Sequence, residues 1–291
     1  MKNYYCFIFV SLVIVGGCKK FTEVDFPVNQ VGSESVFATD ANARAAVAGI
    51  YTDMMSVPNQ FANCSVTFYA GLSADELLYY SPDIKEEFAR NEITQQNHPY
   101  LAVELWGRAY QYIYTTNLCI QKLQASNTLS PEVKDRLLGE CFYLRAYSYF
   151  FLVNLFGEVP LTTETDYKSN MRLPRAEVGA VYRQLTDDFV KAAAMLPATY
   201  AMPEKSVPNK WAARAMLAKA YLYRQEWDSA ALHSDAIIQS GLYQLQSNLN
   251  DVFLKGSSET LWQLAPVLSL RNSWEGYYIN PSSANALPTY I

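Results

Sequence analysis

The stretch between Ser130 and Gly157 is the feature that most limits the folds open to this chain. Ser130-Pro131 has the residue types of a helix start, and Gly157 followed by Pro160 has those of a helix end. Apolar residues at helical spacing line one face: Leu137, Cys141, Leu144, Phe151 and Leu155. The opposite face is also apolar, with Phe142, Tyr149 and Phe150. A helix that is apolar all round lies between neighbours, so the sequence predicts a helix buried inside a helical assembly.

Further helical patterns lie on both sides of this helix. Helices are predicted from Asp40, as an N-cap, through Met54, from about Tyr100 to Leu123, from Glu177 to Leu196, and over 208–240. Leu217-Ala218, Tyr221 and Ala230 match the spacing of a tetratricopeptide repeat, in which small residues let paired helices approach closely. We therefore expect a mainly all-α, tetratricopeptide-like superhelix of helical hairpins, followed after Gly241 by short extended segments and loops.

The first residues have the pattern of a secretion signal. Lys2 precedes an apolar run from Tyr4 to Val15, which is too short to span a bilayer comfortably. Val15-Gly16-Gly17-Cys18 resembles a bacterial lipobox, in which the cysteine is acylated and becomes the mature N-terminus. We predict a signal peptide over 1–17, lipidation with palmitate at Cys18, and a polar tether over 18–35. An ordinary signal peptide with an incidental cysteine is the alternative.

Composition and charge exclude several functional classes. A net charge of −5 argues against nucleic-acid binding, which needs a basic face. No later segment contains about 18 or more consecutive apolar residues, so we expect no transmembrane helix. Cys64, Cys119 and Cys141 have no CxxC spacing, and Cys119 and Cys141 fit buried thiols in helices.

The sequence shows no catalytic or metal-binding motif, so we expect neither an enzyme nor a cofactor. Asp187 and Asp188 are adjacent on a helix and point about 100° apart, which favours a solvated face or an ion pair between helices. Arg145 lies within an apolar helix. A clamp for an anionic ligand would explain it, but an arginine that ties helices through a carboxylate is the favoured interpretation, because buried charges are paired.

Several motifs in the middle of the chain resemble those of SusD/RagB proteins. They are Glu140 to Tyr147, Tyr149-Phe150, Leu155 to Leu161, Leu173-Pro174-Arg175, Val181-Tyr182, Asp187-Asp188, Ala194 to Pro197, Asn209 to Ala213, Leu217 to Leu222, Trp227, Ala230 and Glu259-Thr260-Leu261. Together they cover about 36–265, the expected helical-repeat domain. Members of this family usually extend further, so we expect this sequence to be a truncated N-terminal portion in which 266–291 begins a ligand-binding loop region.

The resemblance implies an outer-membrane lipoprotein that faces the cell surface and captures a glycan, or a peptide in the RagB branch. It would deliver that ligand to a TonB-dependent SusC-type transporter for nutrient uptake. A structural repeat protein that docks on the transporter without binding ligand is the alternative. A glycosidase, which needs two carboxylates across the scissile bond, is disfavoured because no such pair stands out.

A sugar site needs exposed aromatic rings beside amide, carboxylate or guanidinium groups. Two stretches have this composition, 75–91 and 271–280. The candidate ligand-binding residues are Asp75, Tyr80, Arg90, Asn91, Trp274 and Tyr277. Since 270–291 shows no periodic apolar stripe, we also expect this tail to be poorly anchored.

Overall fold

The computed structural model describes residues 36–81, 83–94, 99–200, 204–269, 271–281, 283, 286 and 288–291. The predicted signal peptide, the tether and Cys18 lie outside these residues.

The described part of the chain is mainly helical, as predicted. Its α-helices are α1 Asp40–Ser56, α2 Ser65–Ser73, α3 Glu86–Ala89, α4 Arg108–Ala125, α5 Pro131–Phe156, α6 Tyr167–Asn170, α7 Val178–Met195, α8 Lys210–Tyr223, α9 Trp227–Gln239 and α10 Trp274–Ile279. A π-helix covers Tyr100–Gly107 and a 3₁₀ turn covers Leu249–Asp251. The short strands β1 Val159–Pro160 and β2 Arg175–Ala176 pair antiparallel, with Val159 opposite Ala176.

Helix α5 forms the centre of the assembly and packs against α7, α4 and α1. It buries side chains around most of its circumference, among them Leu137, Phe142, Leu144 and Tyr149, while Leu155 near its end is exposed. Helix α7 in turn packs against α8, and α8 against α9. These pairs confirm the predicted hairpins and the tetratricopeptide-like fold.

Asp40 has a different role from the predicted one. The N-cap of α1 is Thr39, whose hydroxyl accepts from the Asn42 amide at 3.3 Å. The Asp40 carboxylate instead accepts from the backbone N–H and the hydroxyl of Ser130, at 3.0 and 2.7 Å. These two hydrogen bonds lower the pKa of Asp40 and join the start of α1 to the start of α5.

The helix predicted from Tyr100 to Leu123 is interrupted. Its first eight residues form the π-helix, which is continued by α4. The Glu104 carbonyl accepts a hydrogen bond from the Phe61 amide at 3.0 Å, which ties this turn to the loop after α1. A Cβ at Gly107 would lie 2.7 Å from the Ala102 carbonyl oxygen, so the wide turn needs glycine there. Periodicity alone did not show this change of helix type.

The buried arginine is paired as predicted. Arg145 Nε and Nη2 donate to the two carboxylate oxygens of Asp188, at 2.7 and 2.8 Å, and Nη1 donates to Asn117 at 2.8 Å. Both charged side chains are almost fully buried. This bidentate pair links α5, α7 and α4, so Arg145 is a packing residue.

The expectation of a poorly anchored tail is wrong for the described residues after 270. Trp274 and Tyr290 are buried, and the backbone of Ile291 exchanges two hydrogen bonds with Leu78, at 2.7 and 3.1 Å. Trp274 Nε1 donates to the Met55 carbonyl at 2.8 Å. The partners of the tail lie in the first third of the chain, where a local periodicity analysis cannot find them.

None of the helices in the described residues combines the length and the hydropathy that a bilayer crossing requires.

Candidate functional site

A cleft of about 530 Å³ lies beside α10, within the second predicted stretch. Its lining consists of Phe253, Arg271, Asn272, Ser273, Gly276, Tyr277 and Asn280. These residues supply a guanidinium, two side-chain amides, a hydroxyl and two aromatic rings. The set can donate to and accept from the hydroxyl groups of a sugar, and can cover its apolar face.

Trp274 fixes the position of α10 under this cleft. Its ring is 3% exposed, and its indole N–H donates to the Met55 carbonyl in the last turn of α1. The ring of Tyr278 lies 6.2 Å from Trp274 and 5.6 Å from Phe68, so aromatic contacts continue into α2. Trp274 was predicted to contact ligand as an exposed ring. The structure instead buries it, where it supports the cleft from below.

Arg271 packs on the rings beneath the cleft. Its guanidinium carbon lies 4.0 Å from the centre of the Tyr277 ring and 4.7 Å from that of Trp274. Tyr277 is half exposed, at 51%, but Arg271 covers part of its ring. A sugar would therefore meet Tyr277 and Arg271 as a unit, and the 96% exposed ring of Phe253 offers a second apolar surface.

Glu275 is an acidic residue of α10 that does not line the cleft. Burial raises the pKa of its carboxyl. Burial raises the pKa of the Tyr147 hydroxyl and of the Cys64 thiol, and the charge of Glu275 adds to the increase in both. Among the described lining residues Arg271 is the charged one.

All four candidates of the first stretch are exposed on the surface. Asp75 and Asn91 adopt left-handed backbone angles at turns, with φ of 58° and 54°. Arg90 forms an exposed ion pair with Glu86 at 2.7 Å, and Asn91 donates to the Ser73 carbonyl at 3.2 Å. Tyr80 is 53% exposed. Tyr80 is the exposed ring among these four candidates, and none of the four lines the cleft beside α10.

The first predicted stretch meets the end of the tail through the backbone. Tyr79 forms an antiparallel bridge with Tyr290, and their rings stack with centroids 5.0 Å apart. In the described residues no hydrogen bond or ring contact joins Asp75, Tyr80, Arg90 or Asn91 to Trp274 or Tyr277. The ligand-binding role of these six residues stays a prediction.

Of the seven described lining residues, six were not singled out from the sequence, and Tyr277 was. Arg271 and Asn280 bound the second predicted stretch, but only its aromatic residues were chosen there. Phe253 lies in an irregular loop that has no periodic signal. An aromatic residue next to a polar turn, as in Asn250-Asp251-Val252-Phe253, was the available sign.

A second cleft of about 640 Å³ lies between α4 and the loop after β1. Its polar lining includes Gln121, Gln124, Glu164 and Asp166, and it has no aromatic ring. Thr165 already donates to Gln121 at 3.0 Å. This cleft therefore lacks the stacking surface of the cleft at α10. Across the described part of the chain, no group of three or more His, Cys, Asp or Glu side chains could hold a metal ion.

Comparisons with known proteins agree with the fold. SusD-like protein P25 of Formosa agariphila is 24% identical to this chain. The match covers 94% of this chain and 54% of the relative. A SusD-like protein of Bacteroides ovatus is 23% identical over 87% of this chain and 47% of its own. The chain thus spans about half the length of the curated relatives it matches.

Solved structures with this fold include a SusD superfamily protein of Bacteroides vulgatus, with a TM-score of 0.71 and 23% identity over 79% of this chain and 50% of that one. Another is described as a laminarin-binding SusD-like protein, with a TM-score of 0.67 and 26% identity over 76% of this chain and 50% of its own. The SusD-like family described as "Starch-binding associating with outer membrane" matches residues 30–222. Because that match covers most of the chain and most of its helices, the chain belongs to the SusD-like family.

Proposed function

We propose that this chain binds an oligosaccharide at the cleft beside α10 and passes it, without transforming it, to a TonB-dependent SusC-type transporter in the outer membrane. The observation that carries the proposal is the composition of the cleft. Arg271, Asn280 and Tyr277 converge there, in a chain that belongs to a family described as starch-binding. A peptide is the alternative ligand.

Binding rather than bond cleavage is proposed for chemical reasons. Glycoside hydrolysis employs two carboxyl groups placed on either side of the scissile bond. The described lining supplies guanidinium, amide and hydroxyl groups but no carboxyl group. Such groups orient and retain a sugar, while the rings of Phe253 and Tyr277 exclude water from one side of it.

Attachment to the outer membrane is proposed to occur through Cys18. The pattern Val15-Gly16-Gly17-Cys18 supports acylation there, and the family description refers to association with the outer membrane. Several acyl chains bury enough hydrocarbon for stable attachment, at about 0.8 kcal/mol per CH₂. This anchor would hold the binding cleft near the transporter.

The test is isothermal titration calorimetry of the protein against a panel of oligosaccharides, repeated with three single variants. Tyr277→Ala should lower the affinity about tenfold, since stacking and hydrogen bonding to one ring contribute about 1–2 kcal/mol. Tyr80→Ala tests the first predicted stretch. Tyr114→Ala is the matched control, because Tyr114 is 49% exposed on α4 and remote from the cleft in sequence.

Loss of binding in Tyr277→Ala but not in Tyr114→Ala supports the proposed site. Loss in Tyr80→Ala alone would move the site to the first stretch. If no oligosaccharide binds while the protein still co-purifies with the transporter, the chain acts as a docking protein without ligand, and the proposal is wrong.

A further inference from the structure

We propose that the cleft beside α10 selects anionic sugars, with Arg271 as the residue that binds a carboxylate or sulfate group of the ligand. This inference rests on the proposed function and gives the chemical class of its ligand. It depends on three features of the cleft: an arginine without a carboxylate partner among the described residues, a rigid aromatic support, and neutral polar neighbours.

Five arginines of the described residues form ion pairs with acidic groups, and Arg271 is not among them. Arg90, Arg108, Arg136, Arg145 and Arg224 each lie within 4.0 Å of an Asp or Glu oxygen. Arg271 forms no ion pair and no side-chain hydrogen bond with any residue that the structure describes. Its guanidinium thus keeps its N–H donors available at the surface of a cleft large enough for a sugar residue.

The aromatic rings below hold this guanidinium in place. Arg271 lies 4.0 Å from the Tyr277 ring centre and 4.7 Å from that of Trp274. Trp274 cannot move freely, because it is buried and hydrogen-bonded to Met55. A guanidinium held against rings through cation–π contacts still presents its donors at its edge. Such a pre-organised fork fits the two oxygens of a carboxylate or sulfate.

The surroundings favour an anion over a neutral group. Asn272, Ser273 and Asn280 are neutral and can donate to further oxygens of the ligand. Glu275, the nearest acid in sequence, does not line the cleft, and no ion pair joins these two described residues. The chain as a whole carries a net charge of −5, so attraction of an anion depends on the charge of Arg271 within the cleft. Binding should therefore weaken as salt concentration rises.

The experiment compares ligands that differ in charge alone. Calorimetry is performed with oligogalacturonate and its methyl ester, and with a carrageenan oligosaccharide and its desulfated form. Neutral laminarin and starch oligosaccharides complete the panel. The carboxylate and sulfate arms distinguish the two sources of the oxyanion.

We expect oligogalacturonate or the sulfated oligosaccharide to bind at least tenfold more tightly than its neutral counterpart. Arg271→Gln should remove this preference, and Arg271→Lys should restore part of it, because lysine keeps the charge but loses the bidentate geometry. Arg183→Gln is the matched control, since it makes the same charge change at an exposed position of α7. Thermal denaturation establishes that each variant is folded.

The outcomes separate the inference from the proposed function. Equal binding of charged and neutral partners, unchanged in Arg271→Gln, would overturn the selection of anions and leave sugar binding intact. Binding of neutral oligosaccharides alone would likewise overturn the selection of anions and leave sugar binding intact. If no oligosaccharide of the panel binds to a folded protein, both the inference and the proposed function are wrong.

Discussion

The ring of Tyr290 stacks on the ring of Phe68, with centroids 4.1 Å apart and planes 9° from parallel. Tyr278 and Tyr79 contact the same tyrosine, at 6.2 and 5.0 Å. Four rings from three separate parts of the sequence therefore form one cluster, which attaches the tail of the chain to α2. The cluster also determines where α10 lies, because Tyr278 belongs to that helix.

Replacement of Tyr290 by alanine should destabilise the fold by about 3 kcal/mol, the usual cost of removing a buried aromatic ring. Tyr290 is 2% exposed, so little collapse can fill the space. Urea unfolding followed by circular dichroism measures the change. Ile291→Ala is the control, because Ile291 is 48% exposed and keeps its backbone pairing with Leu78. Equal stability of the two variants would contradict the anchoring role of Tyr290.

The pair formed by Arg145 and Asp188 gives a second prediction. Asp188→Asn should cost about 3 kcal/mol, because it leaves the buried guanidinium without its counter-charge. The control is Asp187→Asn, one residue earlier on α7, where the side chain is exposed. That variant should change the free energy of unfolding by no more than about 0.5 kcal/mol. The measurement is again urea unfolding, and similar losses in both variants would argue against a structural role of the pair.

The buried ion pair and the ring cluster show which contacts the sequence could predict and which it could not. The pairing of Arg145 followed from a single charge in an apolar helix, since such a charge needs a partner within reach. The helical hairpins followed from periodicity, which reports local burial. The ring cluster around Tyr290 and the contact of Arg271 with Tyr277 involve residues in loops. Loops have no hydrophobic periodicity, so no sequence pattern predicted these contacts. Composition indicated the second stretch as a candidate site, but it could not tell the buried Trp274 from the half-exposed Tyr277.

Glu104 should make stability depend on pH. Burial raises the pKa of its carboxyl above the ordinary 4.5, although hydrogen bonds from Tyr69 and Ser65 and the charge of Lys85 oppose the shift. The native state therefore holds this proton more tightly than the unfolded chain does. Its contribution is fully present below pH 4.5 and is lost as the pH rises through the native pKa.

Glu104→Gln mimics the protonated carboxyl, so it tests this dependence. The free energy of unfolding of the variant should increase relative to that of the wild type between about pH 4 and pH 7. The comparison cancels the effects of Asp40 and Asp166, whose lowered pKa values act in the opposite direction. Urea unfolding at several pH values gives the difference, and a difference that does not change with pH would count against the prediction.

Cys18→Ala should abolish lipidation and release the protein from membranes. The reason is the pattern before Cys18, which resembles a lipobox, a signal in which the cysteine thiol is acylated. Incorporation of radiolabelled palmitate and membrane fractionation are the measurements. Cys119→Ala removes a buried thiol without changing the lipobox, so it should be labelled normally. Equal labelling of Cys18→Ala and wild type would show that the anchor lies elsewhere or is absent.

The hydrogen bond from Trp274 to Met55 joins residues 219 positions apart in the sequence. The helical hairpins close short loops, whereas this contact closes a long one, and contacts between distant residues form slowly. We therefore expect the cleft that rests on Trp274 to be completed late in folding. Since the indole passes from water to a buried site in that step, its fluorescence would report the moment at which the protein becomes able to bind ligand.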